Sequence, residues 1–248
     1  MKKEQSITIF TIIVIWWITS YLINRSFLLP TPLETLKYFG ELFLSRSFYE
    51  AILSTIARVT IGFITSLSVA LLVSILANEF PTFKRFFEPI HVLTKTIPNI
   101  SYMIIALIWF GSEGSVALIS FMILFPVFFN GFMNALNEED EVLKKVQLIY
   151  PESFLEKARR KLLPQLLNEV LNTGKTAASL GFKVGVMAEI LGSVNVGIGR
   201  QISYCKTQLN MAGIFAWTII IILICLLFDY IFNQIYQYRL KEENGWKN

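Results

Sequence analysis

Met211 to Ile235 is a run of 25 residues with one charged side chain, Asp229. A helix of about 20 apolar residues crosses the hydrocarbon core of a bilayer, roughly 30 Å thick. Inside lipid, a helix satisfies its own backbone hydrogen bonds, so such a run predicts a membrane-spanning helix. Five more candidates precede it: Ile7 to Ile23, Ala51 to Ala77, Ile90 to Phe110, Val116 to Met133 and Leu166 to Leu191. The chain is therefore expected to be all-α and integral to the membrane, with about six transmembrane helices.

Composition agrees. Charged residues make up 16% of the chain, against roughly 25% in soluble domains. That excludes a disordered chain and argues against a soluble globule. The net charge of +4 fits basic cytoplasmic loops better than a nucleic-acid face, and no nucleic-acid partner is expected.

The first run could also be a cleaved signal peptide. No small-x-small cleavage site follows it, and Trp16, Trp17 and Tyr21 suit an interfacial belt. Pro30 and Pro32 then stop any continuous helix. Leu33, Leu36, Phe39, Leu42 and Phe43 recur at helical spacing with Glu34, Lys37 and Glu41 between them, which reads as an interfacial amphipathic helix. Residues 1–26 thus form an N-terminal transmembrane helix and 27–50 an interfacial helix. Residues 51–240 form the core and 241–248 a cytoplasmic tail.

The stretch Asn137 to Glu169 is dense in charge of both signs and cannot cross a bilayer. Six spans place both termini on one side. With the N-terminus in the cytoplasm, 13 Lys and Arg fall inside, 5 outside and 4 within spans. The positive-inside rule favours that orientation, with 137–169 as the largest cytoplasmic loop.

Residues for site chemistry are few: one histidine, His91, two cysteines, Cys205 and Cys225, and two aspartates. No three- or four-ligand metal cluster stands at the required spacing. A disulfide framework needs more cysteines, although a single bridge remains open. His91 lacks a serine or carboxylate framework and reads as a structural or interfacial residue. Gly174-Lys175-Thr176 mimics the end of a phosphate-binding loop, but Glu169 stands where that loop needs glycine. No enzymatic activity or cofactor is expected on this chain. ATP, if used, is hydrolysed elsewhere.

Polar residues within the spans point to transport. An ionisable group at the bilayer centre costs roughly 2.5–3.5 kcal/mol on insertion scales. Arg58, Lys95, Lys175 and Lys183 therefore face protein or water, or snorkel to an interface. Lys175, Ser179 and Lys183 share one helix face. Ala177, Gly181, Gly185 and Ala188 share another, at the small-residue spacing that permits close packing in lipid. Asn99, Ser101, Lys175, Ser179, Lys183 and Glu189 are candidate pathway residues, with Glu189 alternatively paired to a base on a neighbouring helix.

Several pieces stand in a recognisable order. They are Leu29-Pro30-Thr31-Pro32, Ser54-Thr55-Ile56-Ala57-Arg58-Val59 with Gly62-Phe63, and Ile97-Pro98-Asn99 followed by Ile108-Trp109-Phe110-Gly111. Then come Phe125-Pro126 with Asn130, Leu163-Pro164, Ala188-Glu189-Ile190, Gly197-Ile198-Gly199 and Asp229. Over roughly Phe27 to Arg239 the chain resembles the permease subunits of bacterial binding-protein-dependent ATP-binding-cassette importers, in the sulfonate, taurine, nitrate, thiamine-precursor and riboflavin branch. One segment departs. Where that family carries Glu-Ala-Ala and then Gly about 13 residues before Leu-Pro, this chain has Lys145-Val146-Gln147 and Pro151.

The resemblance implies a type I importer (MetI-like) core over 51–240 and a bacterial plasma-membrane location. Its coupling region is 137–165, with Tyr150, Pro151, Glu152, Ser153, Phe154, Leu155 and Pro164 docking on a separate ATPase that holds ATP and Mg. A second permease copy or a homologous permease completes the pathway. An extracellular binding lipoprotein delivers a small polar solute to outer loops including Gly192–Asn210. Read from residues alone, an ATP-independent carrier or channel stays open, as does a membrane enzyme or scaffold.

Overall fold

The computed structural model describes residues 3–137 and 153–245, and every regular element among them is helical. Helix α1 (Lys3–Ile23) leads through a turn to α2 (Pro32–Leu42). Helices α3 (Arg46–Glu79), α4 (Pro81–Thr96) and α5 (Asn99–Asn137) follow. Beyond the undescribed stretch lie a single turn, α6 (Phe154–Lys157), and a π-helical turn, Ala158–Leu162. Then come α7 (Leu163–Gly192), α8 (Ile198–Thr207) and α9 (Met211–Gly245).

Helix α2 starts where the sequence dictates. Pro32 occupies the first turn, where its missing N–H costs nothing. The Glu34 N–H donates to Thr31 Oγ1 (3.2 Å) and the Thr31 N–H to Glu34 Oε2 (2.9 Å), a complete capping box. The second capping oxygen, Oε1, accepts from Ser26 Oγ at 2.8 Å. These donors hold the Glu34 carboxyl below its ordinary range, the Thr31 backbone N–H contributing most. Helix α1 is joined to this corner by Trp16 Nε1 donating to the Pro30 carbonyl (3.0 Å) and Ser20 Oγ donating to the Leu29 carbonyl (2.9 Å).

The core is a tight triangle of α3, α5 and α7. Close approach is set by glycine. A Cβ on Gly62 of α3 would lie 2.6 Å from Ser120 Cβ of α5, and one on Gly181 of α7 would lie 2.8 Å from a Leu124 methyl. Ala177, Gly181, Gly185 and Ala188 are all buried, so the small-residue face of α7 is its packing face, as the spacing predicts. Around this seam Phe128 and Phe132 are fully enclosed, and Phe63 meets Phe128 edge-on at 5.1 Å.

The third predicted span is not one helix. Ile97 precedes Pro98 and is extended (φ −69°, ψ 127°), as the residue before proline prefers. The run therefore divides between α4, which has no buried residue, and the opening of α5. Helix α5 is itself folded at Gly111, whose φ of +67° suits glycine. Its first arm, 99–110, is about 18 Å long and alone falls short of a ~30 Å hydrocarbon core. The third and fourth apolar runs thus share one bent helix. The second predicted span also begins earlier, at Arg46, where Ser45 Oγ accepts the Phe48 N–H (3.2 Å).

Among the described residues, four helices are long and apolar enough to cross a membrane: α1, α3, α5 and α9. Helix α7, at 30 residues, is about 45 Å long. Its Glu169, Lys175, Lys183 and Glu189 make it too polar to stand alone in lipid.

Candidate functional site

Polar groups gather at three levels of the bundle. The first is where the C-terminus of α7 meets the glycine-rich loop. Glu189 has no solvent-exposed surface. Its Oε1 accepts from Arg58 Nη1 at 2.7 Å, and its Oε2 accepts from Thr55 Oγ1 and the Gly199 N–H, each at 2.9 Å. Arg58 Nη1 also donates to the Val196 carbonyl (2.7 Å), and Arg58 Nη2 pairs with Glu113 just beyond the α5 bend. The Asn195 N–H donates to Glu113 (2.8 Å), and the Ile198 N–H to Thr55 Oγ1 (2.9 Å). One cation and two carboxylates therefore tie α3, α5 and α7 to the loop. Gly197 lies in its path: at φ +155° a Cβ there would sit 2.5 Å from a Glu189 carboxylate oxygen.

The second level is a polar seam between α7 and α9. Lys175 Nζ donates to Asn233 Oδ1 (3.2 Å) and Ser179 Oγ to Asp229 Oδ1 (3.1 Å). Lys183 continues the stripe one turn further and is exposed, beside Cys225 of α9. The shared face predicted for Lys175, Ser179 and Lys183 is real, and it runs along α9. Asn99 and Ser101 are elsewhere, exposed at the start of α5, where Asn99 Oδ1 accepts from the Tyr102 hydroxyl. The candidate pathway residues thus form three separate groups within one chain: the Asn99 end of α5, the α7–α9 seam and the Glu189 anchor.

The third level is the opposite end of the bundle. Tyr150, Pro151 and Glu152 lie outside the described residues. Ser153 caps α6, its hydroxyl donating to Glu156 Oε2 at 2.9 Å. Phe154 and Leu155 open α6, and Pro164 is exposed in the first turn of α7. Lys157 Nζ donates to Glu79 Oε1 at 2.6 Å, and Gln165 Nε2 to the Ala135 carbonyl. The segment returning from 138–152 is thereby fixed to the ends of α3 and α5. Glu79 and Gln165 were absent from the sequence reading, because nothing in spacing announces a contact between residues 78 positions apart.

Arg58 was more legible. An arginine inside a span needs a carboxylate within reach, and few carboxylates lie in spans. The Val196 carbonyl had no signal at all. Among the described residues, no group of three metal-ligating side chains is present. Both cysteines are buried and free, Cys205 lying 3.7 Å from the Tyr38 hydroxyl, so the single bridge left open by the sequence is not formed.

The family profile for the binding-protein-dependent transport system inner membrane component matches residues 67–239. The chain belongs to that family. It is a multi-pass membrane permease of the ATP-binding-cassette importer class. The putative aliphatic sulfonates transport permease protein SsuC of Bacillus subtilis is 25% identical over 95% of this chain and 86% of its own length. The formylaminopyrimidine transport permease protein ThiX of Halalkalibacterium halodurans is 28% identical over 86% and 85%. The taurine transport system permease protein TauC of Escherichia coli is 23% identical over 88% and 82%. The matched region spans α3 through α9, so all three levels belong to the permease body or border it.

Proposed function

We propose that this chain is the membrane subunit of an ATP-driven importer for a small polar solute of the sulfonate, nitrate, thiamine-precursor or riboflavin kind. The carrying observation is near-full-length similarity to permeases named for aliphatic sulfonates, formylaminopyrimidine and taurine. An extracellular binding protein delivers the solute to the end bearing the anchored loop. A separate ATPase, holding ATP and Mg, docks at the opposite end, on the coupling region 137–165. The 13-to-5 distribution of basic residues supports a cytoplasmic side for that end and for both termini.

Two copies, or this chain with a homologous permease, build the pathway. The supporting observation is the first arm of α5, where Ile108 and Trp109 are 74% and 75% exposed. The same arm exposes the polar residues Asn99 and Ser101, which favour protein or water over lipid as neighbours, and cover by a second subunit would supply that. Lys175, Ser179 and Lys183 supply polar contacts along the route. Glu189 acts as the anchor of the outer loop.

The test is uptake of radiolabelled taurine and of formylaminopyrimidine by cells carrying the chain with its ATPase and binding protein. Uptake is expected to stop on ATP depletion. Phe154→Asp is expected to abolish ATPase co-purification while the protein stays in the membrane. Uptake that ignores ATP depletion and collapses with the ion gradient would establish a secondary carrier instead.

A further inference from the structure

Helix α4 lies on α3 and α5 without burying any of its own residues, and two cavities open beneath it. One is about 310 Å³ and almost wholly apolar, walled by Val69, Val73, Ile90, Phe121 and Phe125, with Thr94 and Tyr102 its polar members. The other is about 230 Å³ and polar, edged by Lys84, His91, Lys95, Asn130 and Asn137, with Glu88 the single carboxylate on that wall. Phe87 lines both, so the two cavities are neighbours across one side chain. His91 Nε2 and Asn130 Oδ1 are 2.9 Å apart, while His91 Nδ1 is buried without a partner.

We propose that this pair of cavities binds an anionic phospholipid, its phosphate among Lys84, His91 and Lys95 and an acyl chain in the apolar chamber. Three observations carry it. The polar cavity is net basic and sits by the C-terminal ends of α3 and α5, opposite the anchored loop, and basic pockets between membrane helices take lipid headgroups. The apolar chamber adjoins it directly, and a small solute anion would leave that chamber unfilled. Along α5 the two cavities run from Phe121 to Asn137, about 24 Å at helical rise, close to one leaflet with its headgroup, roughly 20–22 Å. The inference needs only a membrane-embedded chain and stands apart from the transport reading.

The test measures phosphatidylglycerol bound per purified full-length chain, by mass spectrometry and lipid phosphorus. Lys84→Ala and Lys95→Ala are each expected to weaken retention about fivefold, whereas Lys37→Ala, remote from the cavity, leaves it unchanged. Val73→Trp, which fills the apolar chamber, is expected to displace the lipid with both lysines intact. Phosphatidylcholine, with the same chains and no net charge, is expected to bind more weakly. Equal retention by wild type and both lysine variants would overturn the proposal. So would displacement of the lipid by millimolar inorganic phosphate or taurine, which would mark a site for small anions. Full-yield crosslinking of Leu93→Cys between two copies would equally overturn it, because a second subunit would then cover the cleft.

Discussion

Helix α7 carries charge at two places that are treated oppositely. Near its C-terminus, Glu189 is completely enclosed and accepts from a guanidinium, a hydroxyl and a backbone N–H. About two turns earlier Lys183 is exposed, and about four turns earlier Lys175 has one amide acceptor at 3.2 Å. A carboxylate deprived of water needs every acceptor site filled, and four elements must hold still for that. The lysines need no such rigidity. One helix thus joins a fixed joint at the loop to an adaptable polar stripe along α9, and the difference separates what holds the permease together from what can meet a solute.

The largest consequence follows from breaking the joint. Arg58→Ala leaves Glu189 buried and unpaired, and removing one partner of a buried pair costs about 3–5 kcal/mol. Thermal unfolding of the purified protein should show a loss of that size. The double variant Arg58→Ala/Glu189→Ala should cost clearly less than the two single losses added, because neither charge is stranded. Additive losses would mean that the two groups do not act as a unit.

Next in size is the glycine seam that brings α7 against α5. Gly181→Leu drives a large side chain into Leu124, which is fully buried and 2.8 Å from where even a Cβ would stand. Overpacking of this kind costs about 1–3 kcal/mol. Gly40, whose Cβ would meet nothing within 4 Å, is the control: Gly40→Leu should not lower the unfolding midpoint and, in a helix, should raise it slightly.

How far the sequence reached follows the same division. Periodic features were readable: apolar runs gave the helices, and the small-residue spacing of Ala177, Gly181, Gly185 and Ala188 gave the packing face of α7. Pro98 was seen as an interruption, but that the second break, at Gly111 thirteen residues later, is a positive-φ bend inside α5 was not. Contacts between remote elements were not readable. Arg58 demanded a carboxylate, and several span or span-edge acids, among them Glu113, Glu169, Glu189 and Asp229, were available. Only the fold shows that it takes two of them and leaves Asp229 to Ser179.

The stripe should respond in the opposite sense from the joint. Lys175→Met and Lys183→Met remove partly exposed charges with few partners, and stability should move by less than about 1 kcal/mol. Uptake should change with unaltered protein level, and the two substitutions together should alter it more than either alone. Unchanged uptake in the double variant would remove the stripe from the pathway and leave it a structural seam.

The most local effect lies at the α2 capping box. Thr31→Ala removes the side-chain acceptor for the Glu34 N–H, a loss of about 1 kcal/mol at a helix N-cap. The same box is sensitive to acid. The Glu34 carboxyl sits below its ordinary value of 4.5 in the folded chain. Its contribution is therefore fully present above that value and disappears as pH falls through the lower folded value. The protection of the first α2 amides, measured as exchange corrected for its intrinsic pH dependence, should fall over that acidic range and stay flat from pH 6 to 8. Thr31→Ala should shrink the acid response, because the largest cause of the lowered value, the Thr31 N–H, is then less well positioned. At Glu189, by contrast, the paired guanidinium and the absence of exposed surface make the anchor a question of geometry. Its failure should follow substitution at Arg58, which strands the carboxylate, or at Gly197, whose added Cβ would crowd it.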